Sequence, residues 1–190
     1  MNQEELNLVV ELHRKWVRSE EGGKRAVLIR AVLTGMDLTR AVLTYANLTR
    51  AVLTGTDLTR ADLTGAVLTD ANLTGADLTG ANLSCAYLTR AVLNCADLSC
   101  ANLRGAYLSE ANLSGVKLSW HSQTLLSEIL WRVAKTEDQQ MLAAFVGRKT
   151  DWCWDHWEKY PHPAREWAIS ELAKWVQEGD DAPEFIRNKR

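Results

Sequence analysis

The chain has 190 residues, a net charge of −2 and 46% hydrophobic residues. That balance points to neither a strongly acidic nor a strongly basic partner, and the length allows one or two domains. The charged start (Glu4, Glu5, Glu11) does not read as a signal peptide, and no apolar run approaches membrane-spanning length, so a cytoplasmic location is expected.

Residues 3–19 place Leu6, Val9, Val10, Trp16 and Val17 at amphipathic helical spacing, with Gly22 and Gly23 as the stop. Residues 1–25 are therefore expected to form an N-terminal helical cap.

From Ala26 the chain reads in fives: AVLIR AVLTG MDLTR AVLTY, continuing to VKLSW at 116–120 without an insertion. The third residue is Leu in all nineteen units, Leu28 to Leu118. The first is Ala in sixteen, the exceptions being Met36, Thr56 and Val116. The second is Asp or Asn in ten, Val in six, Tyr in two and Lys once; the fourth is Thr or Ser in sixteen. A fixed short period marks a stacked solenoid whose units bury their apolar face against their neighbours. A period of five suits neither a 3.6-residue helix nor a two-residue alternation. It suits a short extended piece followed by a turn. Leu and the small residue two places before it share the inner side, while the residue between them points out. Thr at the fourth place is expected to favour extended backbone, and Gly at the fifth (Gly35, Gly55, Gly65, Gly75) suits the turn.

This pattern resembles the pentapeptide-repeat family, whose units read roughly A-[DN]-L-x-x. The lead-in HRKWVRSEEGGKR is also similar to that of other members. The resemblance implies a mainly β fold, a right-handed four-sided parallel β-helix with four units per coil. Nineteen units then make nearly five coils, a column roughly 20–25 Å tall.

After Trp120 the period stops, and 121–190 reads as a Trp-rich helical segment; seven of the eight Trp lie from 120 onward. Leu126, Ile129, Leu130 and Val133 form one helical face. Thr136 with Gln139 is a capping-box signature before a helix ending at Gly147. Asp151–Glu158 is a candidate short helix, and Pro163 suits the first turn of a last helix ending at Gly179. The segment is expected to close the far end of the column; a ligand site built on stacked Trp is the alternative.

Candidate chemistry is sparse. Cys153 and His156 share a helical face, with Asp151, Asp155 and His162 nearby. No second Cys or His pair completes the set at zinc-like spacing, and no orienting group supports Cys–His catalysis. No catalytic residue, metal or cofactor is expected. Cys85, Cys95 and Cys100 fall at fifth places in three different columns and read as free thiols in a reducing compartment.

With twenty residues per coil, outward residues stack in columns. Asp37, Asp57, Asp77 and Asp97, then Lys117, form a candidate acidic stripe for a basic surface; the competing reading is a solvated face. A second column reads Val27, Asn47, Val67, Tyr87, Tyr107, and the next face Val32, Val52, Asn72, Val92, Asn112. Apolar residues in outward places mark a candidate interaction surface at Val67, Tyr87, Tyr107 and Val92.

The expected function is a non-enzymatic scaffold whose docking surface takes a protein partner, a second copy or the protein's own cap, without direct nucleic-acid or membrane binding. The family resemblance also implies an alternative, a DNA mimic that binds DNA gyrase and protects it from quinolones or toxins. Residues 26–120 hold seven bases and seven acids, whereas a DNA mimic should be clearly negative. A third reading puts a small-molecule or metal site in 121–190.

Overall fold

The computed structural model describes residues 1–118, 126–127, 129–130, 134–148, 161–174 and 184–188. The chain divides into two compact units, Met1–Leu118 and Ser119–Arg190.

In the first unit, helix α1 (Gln3–Val17) starts at a complete capping box. The Asn2 side chain accepts from the Glu5 amide at 2.8 Å, and the Glu5 carboxylate accepts from the Asn2 amide at 2.9 Å. The helix ends at Arg18, before the two glycines. Gly23 permits a close approach of the backbone to the helix instead. Lys24 N–H reaches back to the Leu12 carbonyl, and a Cβ at Gly23 would lie 2.4 Å from the Trp16 nitrogen. The buried residues of α1 are Leu6 and His13, whereas Trp16 and Val17 of the expected apolar face are exposed.

The repeats stack as four columns of parallel bridges twenty residues apart. Face 1 carries Val27, Asn47, Val67, Tyr87 and Tyr107. Face 2 carries Val32, Val52, Asn72, Val92 and Asn112. Face 3 carries Asp37, Asp57, Asp77 and Asp97, and face 4 Val42, Asp62, Asn82 and Asn102. Four five-residue sides make one coil. Regular strand pairing occurs at β1 (Asp97–Leu98) with β2 (Lys117–Leu118); the other sides meet through single bridges, because each side turns after two or three residues. Every central Leu from Leu28 to Leu113 is at most 3% exposed, so the interior is a continuous Leu column.

The backbone donors explain the five-residue unit. In the middle coils the first-place N–H closes the turn, as in Ala71 to the Leu68 carbonyl at 3.0 Å. The second-place N–H bonds back to the preceding coil (Asn72 to Ala51, 2.9 Å), and the third-place N–H bonds onward (Leu73 to Val92, 2.7 Å). The fifth-place N–H also bonds onward (Gly75 to Asn94, 2.8 Å). The fourth-place N–H goes to the second-place side chain. All ten Asp and Asn at that place accept it, from Asp37 with Thr39 to Asn112 with Ser114. The fourth-place Thr thus sits in the turn rather than in extended backbone, which corrects the expectation.

Each fifth-place residue from Arg30 to Gly115 has a positive φ, 56–69°. Positive φ at the third residue of a turn is the type II signature. Eleven of these eighteen corners are not glycine, among them Arg50, Asp70, Cys85 and Arg90. The bonds between coils hold the left-handed conformation there against its intrinsic cost, about 1–2 kcal/mol for an ordinary residue.

In the second unit, helix α2 (Glu137–Arg148) opens on the expected reciprocal cap, with Gln139 N–H to Thr136 Oγ1 at 3.3 Å and Thr136 N–H to Gln139 Oε1 at 3.1 Å. Leu126, Ile129, Leu130, Leu142 and Ala143 are buried. Ser127 Oγ donates to the Ala143 carbonyl at 2.7 Å. Helix α3 (Arg165–Ala173) buries Ala168, Ile169, Leu172 and Ala173, and it packs against α2 and against α4 (Glu184–Arg187). Pro163 lies two residues before α3, not within its first turn.

Candidate functional site

Face 1 sets Val67, Tyr87 and Tyr107 in one column of parallel bridges. The second place of each unit points outward because the Leu that follows fills the core. Two Tyr on consecutive coils therefore meet side by side: their ring centroids are 4.9 Å apart and the planes differ by 8°. Tyr87 and Tyr107 remain 45% and 54% exposed. Such a stack hides one ring face of each, and Val67 lies one coil before Tyr87 in the same column. Val92 lies on face 2, around a corner from the Tyr pair.

That corner carries a charged row that second-place spacing alone does not reveal. Its fifth-place residues, twenty apart, are Arg30, Arg50, Asp70, Arg90 and Glu110. Asp70 accepts two bonds from Arg90, at 2.7 and 3.0 Å, and lies 3.5 Å from Arg50. The Arg90 hydrogen bond, with the charges of Arg90 and Arg50, holds the Asp70 carboxyl below the usual carboxylate range. Asp70 and Glu110 together raise Arg90. The opposite edge of face 1 reads Tyr45, Gly65, Cys85 and Gly105, mostly small. The twenty-residue spacing used for the second place would have found the charged edge if applied to the fifth.

Face 3 brings Asp37, Asp57, Asp77 and Asp97 into register. Each carboxylate is committed to its own turn, accepting the N–H two residues on at 2.8–3.0 Å. The Thr59 backbone bond lowers Asp57. Asp97 is pushed up by burial but lowered further by Ser99 and by Lys117, whose Nζ is 3.7 Å away.

Cys85, Cys95 and Cys100 are free and exposed. Cys153, His156, Asp151 and Asp155 lie outside the described residues. His162 Nδ1 accepts from the Ala164 N–H at 3.1 Å. Among the described residues no group of His, Cys, Asp and Glu is arranged to hold a metal, and no helix is long and apolar enough to cross a membrane.

The repeat geometry agrees with comparison to known proteins. The pattern described as pentapeptide repeats matches in eight copies, over residues 24–60, 46–84, 56–94 and 86–120, more than half of the chain. The chain belongs to the pentapeptide repeat family. Its column is accordingly a right-handed β-helix. A pentapeptide repeat protein of the Arabidopsis thaliana thylakoid lumen is 31% identical over 54% of this chain and 72% of its own, with a TM-score of 0.52. Rfr23, from the cyanobacterium Cyanothece, is 36% identical over 47% of this chain and 61% of its own, less than two thirds of its length, with a TM-score of 0.47. QnrB1, a plasmid-mediated fluoroquinolone resistance protein, is 23% identical over 63% of this chain and 75% of its own, with a TM-score of 0.32. No functionally curated protein matches the chain.

Proposed function

We propose that this pentapeptide repeat protein is a non-enzymatic interaction scaffold that docks a protein on face 1. The observation that carries the reading is the stacked, half-exposed Tyr87–Tyr107 pair beside Val67. Paired aromatics on a rigid surface are typical anchors, because they bring large contact area with little side-chain entropy to lose. Residues 1–25 act as the cap of the first coil, and 121–190 as a separate Trp-rich helical segment. The free thiols of Cys85, Cys95 and Cys100 fit a cytoplasmic location. The charged edge of face 1 carries three bases and two acids rather than running negative, which favours a protein partner over imitation of a nucleic acid.

The test is Tyr87→Ser with Tyr107→Ser. In a solvated face each Tyr contributes a few tenths of a kcal/mol of strand propensity and packing. In an anchor each loss costs about 2 kcal/mol or more of binding. The double variant is expected to melt near the parent and to lose its association. A variant that keeps every association of the parent refutes docking on face 1.

A further inference from the structure

We propose that the protein docked on face 1 is a second copy of this chain, running antiparallel. The inference rests on the docking reading above and on the order of charges along the neighbouring edge. A two-fold axis lying in the plane of face 1, across the column, turns each edge onto its own copy in reverse order. The edge reads Arg30, Arg50, Asp70, Arg90, Glu110 from the first coil to the last. With the axis midway between the coils of Asp70 and Arg90, Arg50 meets Glu110 of the second copy and Asp70 meets its Arg90. The reciprocal contacts follow by symmetry, so all four positions face an opposite charge. A two-fold contact requires this self-complementarity.

Neighbouring registers fail. With the axis on the Asp70 coil, Asp70 meets Asp70 and Arg50 meets Arg90. With the axis on the Arg90 coil, Arg90 meets Arg90 and Asp70 meets Glu110. A parallel pair sets the charged edge against Tyr45, Gly65, Cys85 and Gly105, where no charge answers it. Shifts by a whole coil keep only the Arg90–Glu110 pairs or, in the other direction, the Arg50–Asp70 pairs with Arg30 against Arg90. Complementary charges fix register more than they add affinity, so the arrangement with four matched positions is favoured.

The same register brings the apolar residues together. Val67 lies opposite Tyr87 of the second copy, and Asn47 opposite its Tyr107. The exposed parts of the Tyr87–Tyr107 pair are covered without breaking their stack. On the far edge Gly105 is small, whereas the exposed Tyr45 ring lies over Gly65 and adds an aromatic to the contact. From Asn47 to Tyr107 the face is about 15 Å tall, which places the contact at the small end of specific interfaces. The expected dimer is therefore reversible.

Sedimentation of the full chain tests this. The parent is expected to dimerise reversibly, and Tyr87→Ser with Tyr107→Ser to weaken the dimer about tenfold or more. Arg90→Glu sets a second carboxylate against Asp70 of the second copy, and Asp70→Arg sets two guanidinium groups together. Each alone is expected to be monomeric where the parent is dimeric, and an equimolar mixture of the two to restore the dimer. The exchange variant Asp70→Arg with Arg90→Asp keeps the 70–90 pair within the chain and the match between copies, at the loss of the exposed Arg50–Asp70 contact. It is expected to dimerise, which covers the case in which a single variant fails to fold. A parent that stays monomeric at its solubility limit overturns the proposal. So does a dimer indifferent to both charge reversals, or a mixture that fails to pair while its components are folded. A monomeric parent that binds another protein through Tyr87 and Tyr107 removes the second copy and leaves the docking reading intact. Tyr substitutions without effect on any association remove both.

Discussion

A single oxygen decides what the Asp and Asn of each unit do. Asp77 accepts the Thr79 N–H at 2.9 Å, and the same bond recurs at all ten Asp and Asn of the second place. The acidic stripe of face 3 is thus a row of turn acceptors, and charge is incidental to that role. Asp77→Asn, which keeps the acceptor, is expected to leave the urea midpoint nearly unchanged. Asp77→Ala is expected to lose about 1 kcal/mol, the net worth of one hydrogen bond. Equal losses in both variants would show that the carboxylate charge matters. The corners obey a second local rule. Gly65 and Gly75 both have φ near 62°, but a Cβ on Gly65 would lie 2.5 Å from the Tyr45 ring, whereas Gly75 faces open space. Gly65→Ala should therefore cost more than Gly75→Ala, and the excess should vanish in a Tyr45→Ala background. A double-mutant cycle in thermal melts measures that coupling.

At the scale of elements, α1 shows how a polar side chain closes an open solenoid end. The first coil has no preceding coil to satisfy its backbone, and an unpaired strand edge invites association. Gln3 supplies both missing partners of Asp37, donating to its carbonyl at 2.8 Å and accepting from its N–H at 2.9 Å. His13 repeats the device: Nδ1 accepts from the Ala26 N–H at 3.0 Å, and Nε2 lies 3.1 Å from the Thr44 carbonyl, to which it donates. The ring is fully buried and stacked on Trp16, with Arg25 the nearby charge. An imidazolium would point a second N–H at the Ala26 donor. Burial first, and the charge of Arg25, push His13 below its ordinary value of 6.5 despite the Thr44 bond. The unfolded chain therefore takes up the proton at higher pH than the folded one. The contribution to stability is complete above about pH 6.5 and declines as pH falls, until the folded-state value is passed. His13→Phe should lower stability by roughly 1–3 kcal/mol for each backbone group left unpaired. It should also remove the part of the slope below about pH 6.5 that the parent shows in urea titrations. An unchanged slope would mean that His13 titrates alike in both states. Helical spacing picked out Leu6, but it also picked Trp16 and Val17, which are exposed, and it passed over His13 and Gln3. Apolar periodicity cannot reveal a helix whose inner stripe answers backbone polarity.

For the repeat unit, Met1–Leu118, the legible part was whatever repeats. The invariant Leu fixed the interior, and the twenty-residue spacing placed Asp37 over Asp57 and Tyr87 over Tyr107. The left-handed corners at Arg, Cys, Tyr and Glu were not legible from local propensity, because the bonds to neighbouring coils override it. The Asp70–Arg90 pair was not legible until the coil length was applied to every place in the unit. The interior also gives the sharpest test of the column as one cooperative body. Leu73 lies in the tenth unit, is fully buried, and has Leu53 one coil before it and Leu93 one coil after, both fully buried. Among the described first-place and central residues of the column, the polar exception is Thr56, and its hydroxyl is matched to the Leu33 carbonyl at 2.7 Å. A lysine ammonium at 73 would find no such match and cannot reach solvent without parting the coils, a penalty beyond the few kcal/mol of a simple cavity. Leu73→Ala is expected to cost about 2–5 kcal/mol and to unfold in one transition. Leu73→Lys is expected to abolish that transition or the solubility of the chain. Because each coil rests only on its neighbours, hydrogen exchange in Leu73→Ala should quicken most in the coils flanking residue 73. A Leu73→Lys chain that unfolds cooperatively at the parent's midpoint would contradict the Leu-filled column.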